Sequence, residues 1–99
     1  MPDILMPPAL TTRQRAALKA KAHHLEPIVR LGRAGLTDAF VAEVDRALAD
    51  HELIKVRIDT NDREARTEAA EAICARTASA RVGNVGKIFV LWRPKPEVG

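Results

Sequence analysis

The chain has 99 residues, enough for one ordinary domain and too few for two. Hydrophobic residues make up 46% of it and aromatic residues only 3%, so a core must be built from aliphatic side chains and alanine. The net charge is +3, no apolar run approaches the roughly 20 residues of a membrane helix, and a lone cysteine, Cys74, excludes an internal disulfide.

The opening stretch, MPDILMPPAL, is rich in proline and has no periodicity. It is expected to be a flexible lead-in over residues 1–10. It carries neither a basic leader nor a long apolar run, so no secretory signal is visible, and a reducing cytoplasmic location is expected. Thr11 and Gln14 then have the spacing of a capping box, which predicts a first helix to about His24. Its apolar seam is narrow, at Leu18, Ala22 and Leu25. Beside that seam Arg15, Lys19 and His23 share one stripe at four-residue spacing. With so little to bury, this basic helix is expected at one edge of the fold.

Pro27 to Leu31 reads as a short strand carrying one charge, Arg30. A loop with two glycines follows, Gly32-Arg33-Ala34-Gly35. Thr37 can cap a second helix, with Leu36 and Val41 at the positions of a hydrophobic staple and Asp38 well placed in the first turn. Phe40, Val41, Val44, Ala47 and Leu48 form its inner face. Leu53 to Ile58 alternates, with Ile54, Val56 and Ile58 on one side and Lys55 and Arg57 on the other, as in a half-buried strand.

Asn61 with Glu64, or Asp62 alone, can cap a third helix running to about Arg76. Its expected inner stripe is Ala65, Ala69, Ala72 and Ile73, while Glu64, Glu68 and Glu71 line an acidic outer face. Two strands close the domain, at about Ala80–Val85 and Lys87–Trp92, joined as a hairpin near Gly86. The last is apolar on both faces and should be central. The order is αβαβαββ, an α/β chain with a mixed four-stranded sheet packed with helices. The domain spans residues 11–94, and residues 95–99 are expected to be a loose tail.

Charge is unevenly spread. Residues 1–35 carry a net +4, residues 36–76 a net −4, and residues 77–99 a net +3. If the two basic ends meet in space, they make a surface suited to a polyanion. Catalytic signatures are weak by contrast. His23, His24 and His51 lack metal-ligand spacing, Ser79 sits in no elbow motif, and Cys74 falls beside the inner stripe of a helix as a structural thiol would. No enzyme activity and no cofactor are expected.

The glycine loop supports two readings. It can be a plain strand-to-helix turn. It can also be a phosphate cradle, because glycine permits close approach of another backbone, the helix after it offers unpaired N–H groups, and Arg33 adds a charged donor. The Gly-Lys-Ser/Thr ending of a nucleotide-triphosphate loop is missing.

Residues Leu10 to Pro94 resemble the CRM domain, a family of RNA-binding domains found in chloroplast intron-splicing factors and in small bacterial YhbY-like proteins. The resemblance lies in "LGRAGLT" after a strand, "HELIKVRI" followed by "NDRE", and the closing "GKIFVLWRP". It implies a fold similar to the C-terminal domain of translation initiation factor three, and RNA binding through the GxxG loop Gly32, Arg33, Ala34 and Gly35. For the stand-alone bacterial branch it implies association with large-subunit ribosomal RNA or its precursor particle, as an assembly factor. Arg15, Lys19, Arg30, Lys87 and Arg93 are the neighbouring basic candidates read from this chain. Trp92 stands where such sequences often have tyrosine, so it is open whether it stacks on a base or only packs. A monomer with no membrane partner is expected. The rival readings are a protein-binding module on ribosomal particles and a small phosphate-ligand enzyme.

Overall fold

A computed structural model describes residues 9–25 and 29–95 of the chain. The lead-in over residues 1–8, the first part of the expected strand at Pro27 and Ile28, and the tail beyond Lys95 lie outside the described residues. The elements are α1 (Thr12–Ala22), β1 (Val29–Leu31), α2 (Asp38–His51), β2 (Leu53–Ile58), α3 (Arg63–Thr77), β3 (Ala80–Val85) and β4 (Ile88–Trp92). This is the αβαβαββ order read from the sequence.

The helix starts are set locally. Thr11 and Gln14 close a reciprocal capping box on α1, at 3.0 Å in each direction. Thr37 accepts from the Phe40 N–H at 3.0 Å and begins α2. Asp62, rather than Asn61, caps α3 by accepting from the Glu64 N–H. Lys87 lies in the hairpin turn instead of in β4, and its carbonyl accepts from the Ile58 N–H at 2.8 Å.

The sheet order is β1-β2-β4-β3. β1 and β2 are parallel, and β4 runs antiparallel to both β2 and β3. β4 is therefore central, as its two-sided apolar pattern requires. A register shift between Arg81 and Gly83 puts a bulge at Val82.

The two faces of the sheet are covered differently. On one, α2 and α3 pack a core of Val29, Phe40, Val44, Leu48, Ile54, Val56, Ile58, Ile73, Phe89 and Leu91, so the core is not purely aliphatic as expected but buries both phenylalanines. On the other, α1 covers a smaller cluster of Ala22, Leu53, Val82 and Val90, with Leu18, Leu25 and Trp92 half-buried against it. So α1 lies over the second sheet face rather than at an edge. Its weak apolar seam is supplemented by polar ties. Arg15 Nη1 donates to the carbonyls of Arg81 (2.6 Å) and Val82 (2.9 Å), and Lys55 Nζ donates to the Leu25 carbonyl (2.8 Å).

The buried stripe of α3 is also rotated from the expected one. Ala70, Ile73, Cys74 and Thr77 are buried, while Ala65, Ala69 and Ala72 are half-exposed. The observed set keeps the i, i+3, i+4, i+7 period of a helix face. The C-terminal half of the helix therefore sits deepest. Glu64, Glu68 and Glu71 remain exposed, on the side of the sheet opposite α1.

Candidate nucleic-acid interface

The glycine loop joins the end of β1 to the N-terminus of α2. The Gly35 N–H donates to the Gly32 carbonyl at 3.1 Å, closing a four-residue turn around Arg33 and Ala34. Neither central residue has positive φ, which leaves the type I class as the fit. Gly35 has φ +79°, a conformation that favours glycine, whereas Gly32 does not have positive φ. A Cβ at Gly32 would meet nothing within 4 Å. The fold therefore needs glycine at Gly35 and does not need it at Gly32.

The turn is open on its outer side. Gly32, Arg33 and Ala34 are exposed, and Gly35 is half-buried. The N–H groups of Arg33, Ala34 and Leu36 have no acceptor among the described residues. Neither do those of Asp38 and Ala39, which as first-turn donors lie beyond the reach of intrahelical pairing. Behind the turn a cleft of roughly 620 Å³ is lined by Arg30, Gly32 and Arg33 on one side and Ile58, Thr60 and Ala69 on the other. It lies outside the carboxyl ends of the parallel strands β1 and β2, where α/β sheets commonly place their sites.

Strand pairing decides which basic residues join this turn. Arg30 pairs with Arg57 across the parallel ladder, on the sheet face that α1 leaves open at this end. Asp59, just past β2, takes Arg30 Nε at 2.5 Å on one carboxylate oxygen and Arg57 Nε at 2.6 Å on the other. Hydrogen bonding to Arg57, and next to Arg30, holds the Asp59 carboxyl below its ordinary pKa, so it stays a carboxylate. Lys87 is brought to the same end by the bond from Ile58 N–H to its own carbonyl. The Lys19 stem lies over Gly83, where an added Cβ would come within 2.6 Å of Lys19 Cε. Lys19, His23 and Lys55 edge a second groove, of about 420 Å³, between α1 and the hairpin.

Two expected site residues are placed otherwise. Arg93 is half-buried at the far end of the sheet, beyond Trp92, which pairs with Leu53 at the start of β2. The length of β2 puts about 17 Å between that end and the loop. Arg93 Nη1 donates to Asp45 Oδ1 (2.6 Å) and to the Thr77 carbonyl (2.8 Å), and Nη2 donates to the Asp45 carbonyl (3.1 Å). Its work is to tie β4 to α2 and to the end of α3. Arg15 is half-buried and spends Nη1 on the carbonyls at the β3 bulge. Trp92 is half-buried against the α1 cluster and also lines a surface groove with Lys21, His51 and Glu52.

Arg57 and Asp59 also come together with Arg30 at this end of the sheet, and the sequence reading named neither as a site candidate. The alternation of Leu53–Ile58 already put Arg57 on the outer face, but nothing local says that Arg30 is its neighbour.

Chemistry of another kind finds little support in the arrangement. Among the described residues no group of three or more His, Cys, Asp or Glu side chains comes together to hold a metal ion. Cys74 is buried, and burial pushes its thiol above its ordinary pKa, so it stays protonated. No helix among the described residues is long and apolar enough to cross a membrane.

The CRS1/YhbY (CRM) domain model matches residues 10–93. The chain belongs to this family. A Haemophilus influenzae relative named "RNA-binding protein" is 47% identical over 88 residues, covering 89% of this chain and 89% of the relative. A Pseudomonas aeruginosa relative named "Probable RNA-binding protein PA4753" is 38% identical over 89 residues, covering 90% of this chain and 86% of that one. The solution structure of SAV1595 from Staphylococcus aureus superposes with a TM-score of 0.79 at 31% identity, covering 90% of this chain and 93% of that one. The CRM fold here is thus the mixed α/β domain expected from the sequence.

Proposed function

We propose that this CRM protein binds RNA through the Gly32–Gly35 turn and the basic surface beside it, and that it aids assembly of the large ribosomal subunit by holding ribosomal RNA or its precursor. The observation that carries the reading is the exposed turn itself. Its unengaged N–H groups and the exposed Arg33 lie within a few residues of the first-turn donors of α2, which have no acceptor either. A phosphate there would receive backbone hydrogen bonds, the favourable end of the helix dipole and a guanidinium.

The bulk of the binding free energy would come from phosphate contacts and counterion release, so affinity should fall steeply with salt. With 3% aromatic residues and Trp92 half-buried against the α1 cluster, base stacking contributes little. RNA shape then matters more than sequence. The protein acts as a non-catalytic monomer in the cytoplasm in this reading.

Crosslinking the protein to RNA in cells and sequencing the fragments tests it. Enrichment of large-subunit ribosomal RNA is expected. Fragments scattered over unrelated transcripts would overturn the ribosomal assignment, and particle association that survives nuclease digestion of the RNA would favour a protein partner instead.

A further inference from the structure

Arg30 and Arg57 stand directly opposite each other in the parallel ladder, an arrangement of like charges that is unfavourable without compensation. Asp59 supplies the compensation, but in a particular way. It engages each guanidinium through Nε alone. Both terminal amino groups of each arginine are left with no acceptor among the described residues. Those amino groups form the edge of the guanidinium that pairs bidentately with phosphate.

Exposure follows the same division. The side chains of Arg30 and Arg57 are 71% and 44% exposed, while that of Asp59 is 29% exposed. An approaching polyanion therefore meets the arginines before the carboxylate. Tethering at Nε also removes part of the rotamer freedom that a long exposed side chain would otherwise lose on binding. Arg30 and Asp59 line the cleft behind the glycine turn, and Arg57 stands beside Arg30 in the ladder.

We propose that Arg30 and Arg57, held side by side by Asp59, form a phosphate-binding fork for the RNA backbone next to the glycine turn, with Asp59 as its positioning residue. This rests on the RNA-binding reading above and adds to it a second phosphate site, built by an acidic side chain. Asp59 does not touch the RNA. Its effect is transmitted through the two guanidinium planes.

The sign of one substitution separates this from simple electrostatics. Asp59→Asn makes the protein more positive, so charge alone predicts tighter RNA binding. Loss of the fork predicts weaker binding. The measurement is fluorescence anisotropy with a labelled RNA hairpin carrying single-stranded flanks, on variants whose melting midpoints are checked first.

Asp59→Asn is expected to bind about tenfold more weakly, the equivalent of about 1.4 kcal/mol. Asp59→Glu should recover part of the loss. Arg30→Lys with Arg57→Lys, which keeps the charge and removes the planar fork, should also bind more weakly. On a background of Arg30→Ala and Arg57→Ala, Asp59→Asn should produce no further loss.

Wild-type or tighter binding by Asp59→Asn would overturn the proposal. So would an equal loss on the arginine-free background. A wild-type protein that binds no RNA would instead remove the reading beneath the fork, and that result is distinguishable from either of these.

Discussion

The two glycines of the turn look equivalent in sequence and are not equivalent in the fold, which allows the turn and cradle roles to be separated. Gly35 sits at φ +79°. An alanine there would carry a left-handed strain of roughly 1–2 kcal/mol. For a domain of this size each kcal/mol shifts the melting midpoint by about 4–8 °C, so Gly35→Ala should lower it by roughly 5–15 °C. Gly32 lacks positive φ, and its added methyl would meet nothing within 4 Å. Gly32→Ala should leave the midpoint unchanged or raise it by a few degrees, because alanine restricts the unfolded chain.

Binding should show a different pattern. In the proposed cradle, the methyl at Gly32 would occupy open space at the turn that a phosphate backbone has to approach. Displacing one charge-assisted hydrogen bond there costs about 1.5 kcal/mol or more, and so roughly tenfold or more in affinity. Thermal melting by circular dichroism and anisotropy titration with an RNA hairpin give the two numbers for each variant. Gly32→Ala binding as tightly as wild type would refute the close-approach argument. Gly32→Ala melting as low as Gly35→Ala would refute the conformational one.

Other expectations follow from the same geometry. Arg93→Ala loses its bonds to the Thr77 carbonyl and to Asp45 and should destabilise the fold by about 1–3 kcal/mol, with the exposed Asp45 pairing discounted for screening. RNA affinity of the folded variant should match wild type within about twofold, since Arg93 is some 17 Å from the loop; a clear drop would return Arg93 to the interface. Arg33→Ala should weaken binding and flatten the dependence of log affinity on log salt by about one, and an identical slope would remove Arg33 from phosphate contact. Ala78 ends α3 at φ 54°, ψ 42°. Ala78→Gly should relieve that strain and stabilise by roughly 0.5–1 kcal/mol, seen as a higher melting midpoint, and no rise would argue that the helix end is unstrained.

Features that depend on near neighbours were legible from the residues. A capping side chain reaches only two or three positions along the chain, so Thr11, Thr37 and Asp62 could be nominated before any packing was known. The alternation of Leu53–Ile58 and the two-sided apolar pattern of the last strand likewise reflect a local period, and they led to the correct half-buried and central strands. The αβαβαββ order follows from these.

The duties of the basic side chains were not legible in the same way. Arg15 and Arg93 look as available in the sequence as Arg30, yet they close onto carbonyls and a carboxylate 66 and 48 residues away. The stripe of α3 was misplaced because an alanine-rich helix offers several faces of similar hydrophobicity, and the sheet beneath it chooses among them. The composition and spacing of this chain determined its elements and the existence of an exposed glycine turn beside a helix start. Only the tertiary structure decided which arginines stand beside that turn. Strand register makes Arg30 and Arg57 neighbours and lets Asp59 hold both, and register is set by burial across the whole sheet rather than by any short stretch of sequence.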